Sequence, residues 1–413
     1  MKIRISPRRL LRVSLHSFIA FVLFGQIIEP DAFKVFAQSR RQPPATQQKK
    51  NKRPDETKQG DSSSSKDEET PQDVINKPQE AETITITSSL VNVDAVVYNK
   101  KTGKVITGLK KENFTLFEDG ERRDITNFST PEAPITVTML LEYSKLLESY
   151  SGDQFSPQRY EVLRPMVLFL SQFVKPPEDF VSVVAYDMRP TPLTDFTNDP
   201  TRIRQVIDLL LRNYPASREA NLFDALKFTL VGGRGDSVVL ENSKTEKSDY
   251  AGLSSLKGRR TAMILVCSGI DTFSKINYDQ ARKVAQNAGV PIYIIGTGNL
   301  FFKKYGDELG ATDGLLGQPG RLTFLQAQNA LKTFAKETGG EYFPVTFEGE
   351  LPSVLGSINA LLRNQYSLGF NPGDKRDGKQ HKLLVKVDVD GDGKPDDKEF
   401  VVKSRPFYNA PKS

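Results

Sequence analysis

The residues between positions 388 and 399 have the types and the spacing of a calcium-binding loop. They follow the pattern Asp-x-Asp-x-Asp-Gly-x5-Glu, in which Gly393 permits the sharp turn. Calcium is a hard cation that takes about six to eight oxygen ligands, and this spacing directs such oxygens towards one centre. An acidic, glycine-rich hairpin turn without a metal is the alternative. The candidate ligands are Asp388, Asp390, Asp392, Lys394 (through its backbone carbonyl), Asp396 and Glu399.

The sequence holds few residues for nucleophilic or redox catalysis. Its single cysteine, Cys267, excludes an intramolecular disulfide and any Cys-x-x-Cys site, and only two histidines are present, His16 and His381. We expect Cys267 to be buried in an apolar strand and His381 to be exposed at the edge of a polar strand. No Gly-x-Ser-x-Gly nucleophile motif and no phosphate-binding loop occurs.

The first 37 residues have the layout of a secretory signal peptide. Basic residues occupy 2–12, an apolar run follows over 13–28, and small residues precede a cleavage point after Ala37. An uncleaved membrane anchor is the alternative, although the run is short for a span of about 20 residues. The segment has six basic and two acidic residues, so its removal lowers the formal charge from +6 to about +2.

Residues 38–82 are predicted to be a disordered linker. They contain nine basic and nine acidic residues and almost no large apolar side chains, so they cannot bury enough surface to fold. The folded part of the chain is therefore nearly neutral. A nucleic-acid partner is not expected, because such binding depends on clustered positive charge.

The rest of the chain predicts an α/β fold with a doubly wound, mostly parallel sheet and small β segments at both ends. Alternating apolar residues predict an N-terminal β segment over 83–133. Over 134–364, apolar strands alternate with helices of 10–15 residues, which is typical of a parallel sheet. Alternation returns in a C-terminal β appendage over 365–413.

Several short stretches at both ends of the predicted folded part carry a similarity to known proteins. They are 91–97, 103–109, 112–114 and 117–120 in the leader, and 365–370 and 407–408 at the C-terminal end. These stretches resemble the VWFA-related domain proteins of acidobacteria, which carry a von Willebrand factor type A domain. The similarity covers roughly residues 83–413, and the order of elements from 135 to 362 is also similar to that of a type A domain.

The resemblance implies a metal-ion-dependent adhesion site at the carboxyl ends of the strands. In type A domains this site consists of an Asp-x-Ser-x-Ser motif, a later Thr and a later Asp. The oxygens of these residues bind Mg²⁺. Only the first serine of the pattern is kept here, and Lys145 adds a positive charge, so we expect no Mg²⁺. Glu142, Asn221 and Asp271 are the residues from which an altered site would have to be built. The five positions are occupied by Glu142, Ser144, Leu146, Ala220 and Ser268.

Three functions follow as hypotheses. The first is an exported, non-enzymatic protein–protein interaction module that does not use the usual adhesion-site metal, with an unknown protein partner in the periplasm or outside the cell. The second is an exported hydrolase that uses paired carboxylates among Asp187, Asp195 and Asp271. The third is a structural envelope protein, attached to a membrane only through an uncleaved N-terminal segment.

Overall fold

The computed structural model describes residues 90–131, 133–146, 157–236, 247–256, 259–314, 318–373 and 375–412. The predicted signal peptide, the predicted linker and the first residues of the predicted N-terminal β segment lie outside these ranges. Among the helices that are described, none combines the length and the apolar character needed to cross a bilayer.

The described chain contains sixteen strands and seven α-helices. The strands are β1 (Val91–Asn99), β2 (Phe114–Glu118), β3 (Glu121–Arg123), β4 (Ile125–Ser129), β5 (Ile135–Glu142), β6 (Phe180–Tyr186), β7 (Pro190–Thr197), β8 (Gly233–Asp236), β9 (Lys247–Tyr250), β10 (Arg260–Cys267), β11 (Ile292–Gly296), β12 (Tyr342–Pro344), β13 (Tyr366–Phe370), β14 (Gln380–Val387), β15 (Phe400–Ser404) and β16 (Phe407–Asn409). The helices are α1 (Pro157–Gln172), α2 (Pro200–Arg212), α3 (Leu222–Val231), α4 (Tyr278–Ala288), α5 (Gly298–Tyr305), α6 (Arg321–Thr338) and α7 (Leu351–Arg363).

The central part of the chain is a three-layer α/β domain. Its six-stranded sheet has the order β12-β11-β10-β5-β6-β7, and all neighbouring pairs are parallel except β6 and β7. This is the doubly wound order 3-2-1-4-5-6 when the six strands are numbered along the chain. Helices α1, α2 and α7 cover one face and α3, α4 and α6 cover the other. Every residue of β5 is buried, as its continuous apolar run predicts.

The antiparallel strand β7 was not predicted from the sequence. Pro190 and Pro192 interrupt its pattern, and a proline removes a donor from the hydrogen-bond ladder. The strand lies at the edge of the sheet, where a missing donor is tolerated. Further along the chain, the short strands β8 and β9 pair with each other in antiparallel orientation.

The two predicted β segments form one β-sandwich. One sheet has the order β15-β1-β13-β4 and the other β16-β14-β2-β3, so each contains strands from both ends of the chain. Strand β1 pairs with β13 and β15, which lie more than 250 residues later. Apolar side chains of both sheets, including Val93, Leu116, Leu368 and Val385, form a common core. The central domain is thus inserted between two halves of another domain.

The chain runs from the sandwich into the central domain before β5 and returns to the sandwich after α7. Arg260, the first residue of β10, is hydrogen-bonded to both of these connecting segments. Its buried guanidinium donates hydrogen bonds to the carbonyls of Pro131 and Ala133, which precede β5, both at 2.8 Å. It also donates to the carbonyl of Leu362, near the end of α7. The entry to the central domain and the exit from it are thereby held at one place.

Helix α2 begins with a capping aspartate. The Asp199 carboxylate accepts a hydrogen bond of 2.8 Å from the Thr201 N–H. Asp199 directly precedes Pro200, and a carboxylate also complements the positive end of the helix dipole.

His381 is buried in the sandwich, so its predicted exposure is wrong. It is only 7% exposed and lies on the inward face of β14, in alternation with Leu383. Its Nδ1 lies 2.7 Å from Asp119 Oδ2, and its Nε2 lies 3.2 Å from Asp377 Oδ1. Burial lowers the pKa of His381, but the two carboxylates outweigh burial and the pKa lies above its ordinary value.

We predict that the charged His381 stabilises the folded chain and that this stabilisation is lost at alkaline pH. Because its pKa is raised by folding, the stabilisation is complete below the unfolded pKa of about 6.5 and is lost as the pH rises through the folded value. His381→Gln should therefore cost about 1–2 kcal/mol at pH 6 and less at pH 9. Urea unfolding of both proteins at the two pH values measures this. An equal cost at both pH values would show that the imidazolium contributes nothing.

Candidate functional site

A buried hydrogen-bond network lies at the carboxyl ends of β5 and β10. Glu142, the last residue of β5, is 2% exposed. Its Oε2 accepts hydrogen bonds from the Ser268 N–H at 2.7 Å and from the Ser268 hydroxyl at 2.8 Å. Its Oε1 accepts a hydrogen bond of 3.3 Å from the Ser144 hydroxyl. The parallel register of β5 and β10, which pairs Leu141 with Val266, brings these residues together.

The environment of Glu142 favours the neutral carboxyl group. Burial raises the pKa of Glu142 above its ordinary value, and the hydrogen bonds from Ser268 and Ser144 offset this only in part. Burial also raises the pKa values of the neighbouring Tyr186 and Cys267, and the charge of Glu142 adds to both shifts. The charged form of each group is therefore disfavoured.

Two other adhesion-site positions offer no side-chain oxygen. The Leu146 side chain is buried in the core beneath α3, and its N–H donates to the Ser144 hydroxyl at 3.3 Å. Ala220 is buried in the same core, and its N–H donates to the Thr272 hydroxyl at 3.0 Å. Of the five positions, only Glu142, Ser144 and Ser268 have side-chain oxygens, and these are hydrogen-bonded to one another.

Asn221 and Asp271 hold loops together. The Asn221 amide donates to the carbonyls of Met188 and Phe273 at 3.0 and 3.2 Å, and its oxygen accepts from the Phe273 N–H at 3.0 Å. Asp271 accepts hydrogen bonds from the Phe223 N–H at 3.0 Å, in the first turn of α3, and from the Ser274 hydroxyl at 2.5 Å. Both polar groups are thus already bonded within the protein.

The aspartates of the hydrolase hypothesis lie in different surroundings. Asp195 is exposed on the edge strand β7. Asp187 accepts a hydrogen bond of 3.2 Å from the Arg189 N–H in the turn between β6 and β7. Burial raises the pKa of Asp271, although its hydrogen bonds with Ser274 and Phe223 lower it in part. Within the described residues, these three aspartates do not form a cluster with carboxylate oxygens within 4.8 Å of one another.

Comparisons with known proteins find similarity only among solved structures. No family model matches the chain, and no curated protein matches it. Proximal thread matrix protein 1 from the mussel byssus is 12% identical over 59% of this chain, with a TM-score of 0.38, and the match spans half of the mussel protein. An aerotolerance-related membrane protein from Bacteroides fragilis is 12% identical over 56% of this chain and 98% of its own, with a TM-score of 0.35. The PilB minor pilin from Streptococcus sanguinis is 11% identical over 56% of this chain and 62% of its own, with a TM-score of 0.39.

The fold of the central domain agrees with the fold class predicted from the sequence. It is a doubly wound, mostly parallel α/β sheet with helices on both faces. The antiparallel edge strand β7 is the feature that the sequence did not predict.

The five positions that the resemblance assigns to an adhesion site do not fit Mg²⁺. The ion requires near-octahedral oxygen ligands, usually including carboxylates that are ionised. The single carboxyl group at these positions, Glu142, is buried with a raised pKa, and Leu146 and Ala220 supply no oxygen. The hydrogen bonds between Glu142 and Ser268 join the two strand ends directly.

The predicted calcium loop connects β14 with β15, and therefore one sheet of the sandwich with the other. Oxygens of Asp388, Asp390 and Asp392 lie within 4.8 Å of one another. The Asp396 carboxylate instead accepts a hydrogen bond of 2.7 Å from the Val389 N–H. Lys394 and Glu399 are exposed, and Glu399 does not belong to the three-carboxylate group.

The three carboxylates repel one another. The backbone N–H of Asp392 lowers the pKa of Asp390, but desolvation and the charges of Asp392 and Asp396 outweigh it, and the net shift is upwards. Asp388 differs, because the N–H groups of Gly391 and Gly393 donate to its two oxygens at 2.7 and 2.8 Å. These bonds outweigh desolvation and lower its pKa. A bound cation would relieve the repulsion at Asp390.

Sequence reasoning missed a pocket of about 260 Å³ beside the Glu142 network. It is lined by residues from the ends of β5, β6 and α2 and from β7, among them Tyr143, Tyr186, Leu193 and Tyr214. The aromatic residues lie far apart in the sequence and show no shared pattern. Only the order of the strands in the sheet brings them together.

We predict that Glu142 is held as a neutral group. Because its pKa is raised by folding, the wild-type chain should lose stability as the pH rises above the unfolded value of 4.5 through the folded value. The neutral variant Glu142→Gln should not show this loss, and Glu142→Ala should cost about 2–4 kcal/mol at all pH values through lost bonds and a cavity. Urea unfolding between pH 5 and pH 8 tests this.

A different result would identify a charged Glu142. In that case Glu142→Gln would be markedly destabilised at pH 8, and Mg²⁺ would raise the melting temperature of the wild type but not of the variant. Ser353→Ala, on the exposed surface of α7, is a suitable control.

Proposed function

We propose that this chain is an exported, non-enzymatic protein–protein interaction module that binds its partner through the carboxyl ends of the central sheet without a metal ion. The hydrogen-bonded pair of Glu142 and Ser268 carries this proposal, because it occupies two of the positions where a type A domain holds its metal. Ligands of open α/β sheets bind preferentially at this end of the strands. Exposed apolar side chains, among them Met188 and Phe273, lie in the loops at this end of the sheet.

Two observations support a non-enzymatic role. Cys267 is buried and burial raises its pKa, so it lacks the thiolate that a nucleophile needs. His381 lies in the sandwich, where both ring nitrogens face carboxylates. Burial thus disfavours the thiolate of Cys267, and His381 belongs to the sandwich and not to the central sheet.

Export is supported by the N-terminal sequence, with its basic residues, apolar run and cleavage point after Ala37. Mass spectrometry of the N-terminus of the mature protein tests this proposal. A chain that begins at Gln38 is expected, and a chain that retains its first residues would support the membrane-anchored alternative.

We predict that the partner binds equally well in Mg²⁺ and in EDTA. The immobilised full chain, incubated with the envelope fraction of its own cells, should retain the same protein under both conditions. Phe273→Glu places a charge on an exposed side chain of the sheet end and should abolish retention. Leu325→Glu, an equally drastic change on the exposed surface of α6, is the control and should have no effect. Loss of retention in EDTA that Mg²⁺ restores and Ca²⁺ does not restore would contradict the proposal.

A second proposal concerns the loop from 388 to 399, which we propose binds calcium as a structural ion. The observation that favours it is the grouping of three carboxylates in a loop that joins the two sheets of the sandwich. The ion would fix the path of the chain between β14 and β15. Extracellular calcium is sufficient for weak sites with dissociation constants of about 10⁻⁴–10⁻³ M.

We predict that calcium raises the melting temperature of the full chain by about 2–4 °C over the value in EDTA. Asp390→Ala should abolish the shift, because it removes one of the three grouped carboxylates. Glu121→Gln, an exposed acid in the β2–β3 hairpin, should leave it unchanged. If the wild type and Asp390→Ala both melt without any shift, the loop is an acidic turn and not a calcium site.

A further inference from the structure

A second cavity, which we call the crevice, lies where the β-sandwich meets the central domain. Its volume is about 370 Å³. Small-molecule sites have volumes of about 300–1,000 Å³ and are often found between domains. The end of α4 contributes Asn287 and Gly289 to the lining, and the sandwich contributes Asn92, Arg405 and Asn409.

Arg405 brings a buried guanidinium to the crevice. The residue is 7% exposed, and its Nη2 donates to the carbonyl of Asn92. Its Nη1 lies 3.3 Å from the position that a Cβ atom would take at Gly289, the residue that ends α4. Within the described residues, the buried Nε of Arg405 has no hydrogen-bond partner. A buried donor without an acceptor is rare in folded proteins, and an ion is one of the groups that supply the missing acceptor.

The charge of Arg405 is only partly compensated by its surroundings. Burial lowers the pKa of Arg405 to about 10, and the negative charge of Asp94 offsets this shift in part. The group is therefore a cation at neutral pH. The Asp94 carboxylate itself accepts a hydrogen bond of 2.7 Å from the Ser367 hydroxyl. The carboxyl end of α4 favours a positive charge nearby, but it gives Nε no acceptor.

A chain of side-chain hydrogen bonds fixes the orientation of the Asn287 amide. It begins at Glu337, which accepts from Arg282 Nε at 2.7 Å and from Gln286 Nε2 at 2.8 Å. Burial raises the pKa of Glu337, but these two hydrogen bonds outweigh burial and lower it. The Oε1 of Gln286 accepts from Asn409 Nδ2 at 3.0 Å, and the same Nδ2 donates to Asn287 Oδ1 at 2.8 Å. Because a carboxylate can only accept, the orientation of each amide follows in turn, and the donor Nδ2 of Asn287 lies at the end of the chain.

We propose that the crevice binds a small organic molecule through its carboxylate group, which accepts hydrogen bonds from the Arg405 guanidinium and the Asn287 amide. Both protein groups are donors, so an acceptor-only ligand fits them. The planar guanidinium is the usual partner of a carboxylate, and its hydrogen bonds to an ionised acceptor are short and strong. This site is separate from the carboxyl ends of the central strands, and it does not depend on the proposed function.

Saturation-transfer difference NMR on the full chain tests the proposal. The probes are succinate and glucuronate, at constant ionic strength, and each is compared with its neutral amide, succinamide or glucuronamide. At least one carboxylate should bind with a dissociation constant of about 1 mM or below. Its amide should bind at least about tenfold more weakly, because it lacks the charge that pairs with Arg405.

Two variants locate the binding site. Asn287→Asp keeps the oxygen that accepts from Asn409 but replaces the amide donor by a negatively charged oxygen. It should weaken carboxylate binding at least about tenfold through charge repulsion. Arg405→Gln removes the guanidinium and should abolish binding. Asn329→Asp, the same substitution on the exposed surface of α6, is the control and should bind as the wild type does.

Circular dichroism shows which variants are folded, and Asn287→Asp keeps the test decisive if Arg405→Gln does not fold. The proposal is overturned if neither carboxylate binds the folded wild type at about 10 mM, tenfold above the expected dissociation constant. It is also overturned if the amides bind as well as the carboxylates, or if folded Asn287→Asp binds as the wild type does.

Discussion

The fold depends on a buried guanidinium that holds two passages of the chain together. The β-sandwich contains strands from both ends of the described chain, so the polypeptide must leave the sandwich for the central domain and return to it. Arg260 donates hydrogen bonds to carbonyls on the way in, at Pro131 and Ala133, and on the way out, at Leu362. Hydrogen bonds to a charged donor contribute about 1.5–3 kcal/mol each, and a buried charge without partners is costly, so the two passages are strongly favoured to stay adjacent.

This arrangement places the attachment of the sandwich at the end of the sheet opposite to the Glu142 network. Arg260 and Ile135 stand at the amino ends of β10 and β5, whereas Glu142 and Ser268 lie at or just beyond their carboxyl ends. Eight residues of a strand span about 25 Å, so the Glu142 network is about one strand length from the junction with the sandwich. The sandwich is attached at one end of the sheet, and the other end, with its pocket and exposed apolar residues, faces away from the attachment.

The sequence predicted local structure better than it predicted pairing. The apolar run of β5 and the proline-initiated helix α2 are recognisable from a few adjacent residues, and the structure confirms them. The pairing of β1 with β13 and β15 was not predictable, because alternation shows which face of a strand is buried but not its partner. The burial of His381 was predictable in principle, since it continues the inward alternation of Leu383, Val385 and Val387, but its polar character outweighed that signal in our interpretation.

In the candidate site, too, some features follow from the residue types and others depend on contacts between distant parts of the chain. The residue types alone led to the expectation that no Mg²⁺ binds at the adhesion-site positions, because Leu146 and Ala220 have no side-chain oxygen. The bond between Glu142 and Ser268 required the parallel register of β5 and β10, and the pocket required the strand order that brings Tyr143 beside Leu193. Both depend on contacts between distant parts of the chain, which a single sequence does not encode in any local pattern.

An internal carboxyl–serine network in place of a metal would change the conditions on which the proposed binding depends. A bound metal ties affinity to the concentration of a divalent cation and leaves a position for a carboxylate from the partner. In the central domain the Glu142 carboxyl group instead forms hydrogen bonds with Ser268. Under the proposed function, the affinity would therefore come from burial of the apolar side chains that are exposed at this end of the sheet, such as Phe273. Apolar contacts need no divalent cation and are not screened by salt, so the proposed binding should persist in EDTA.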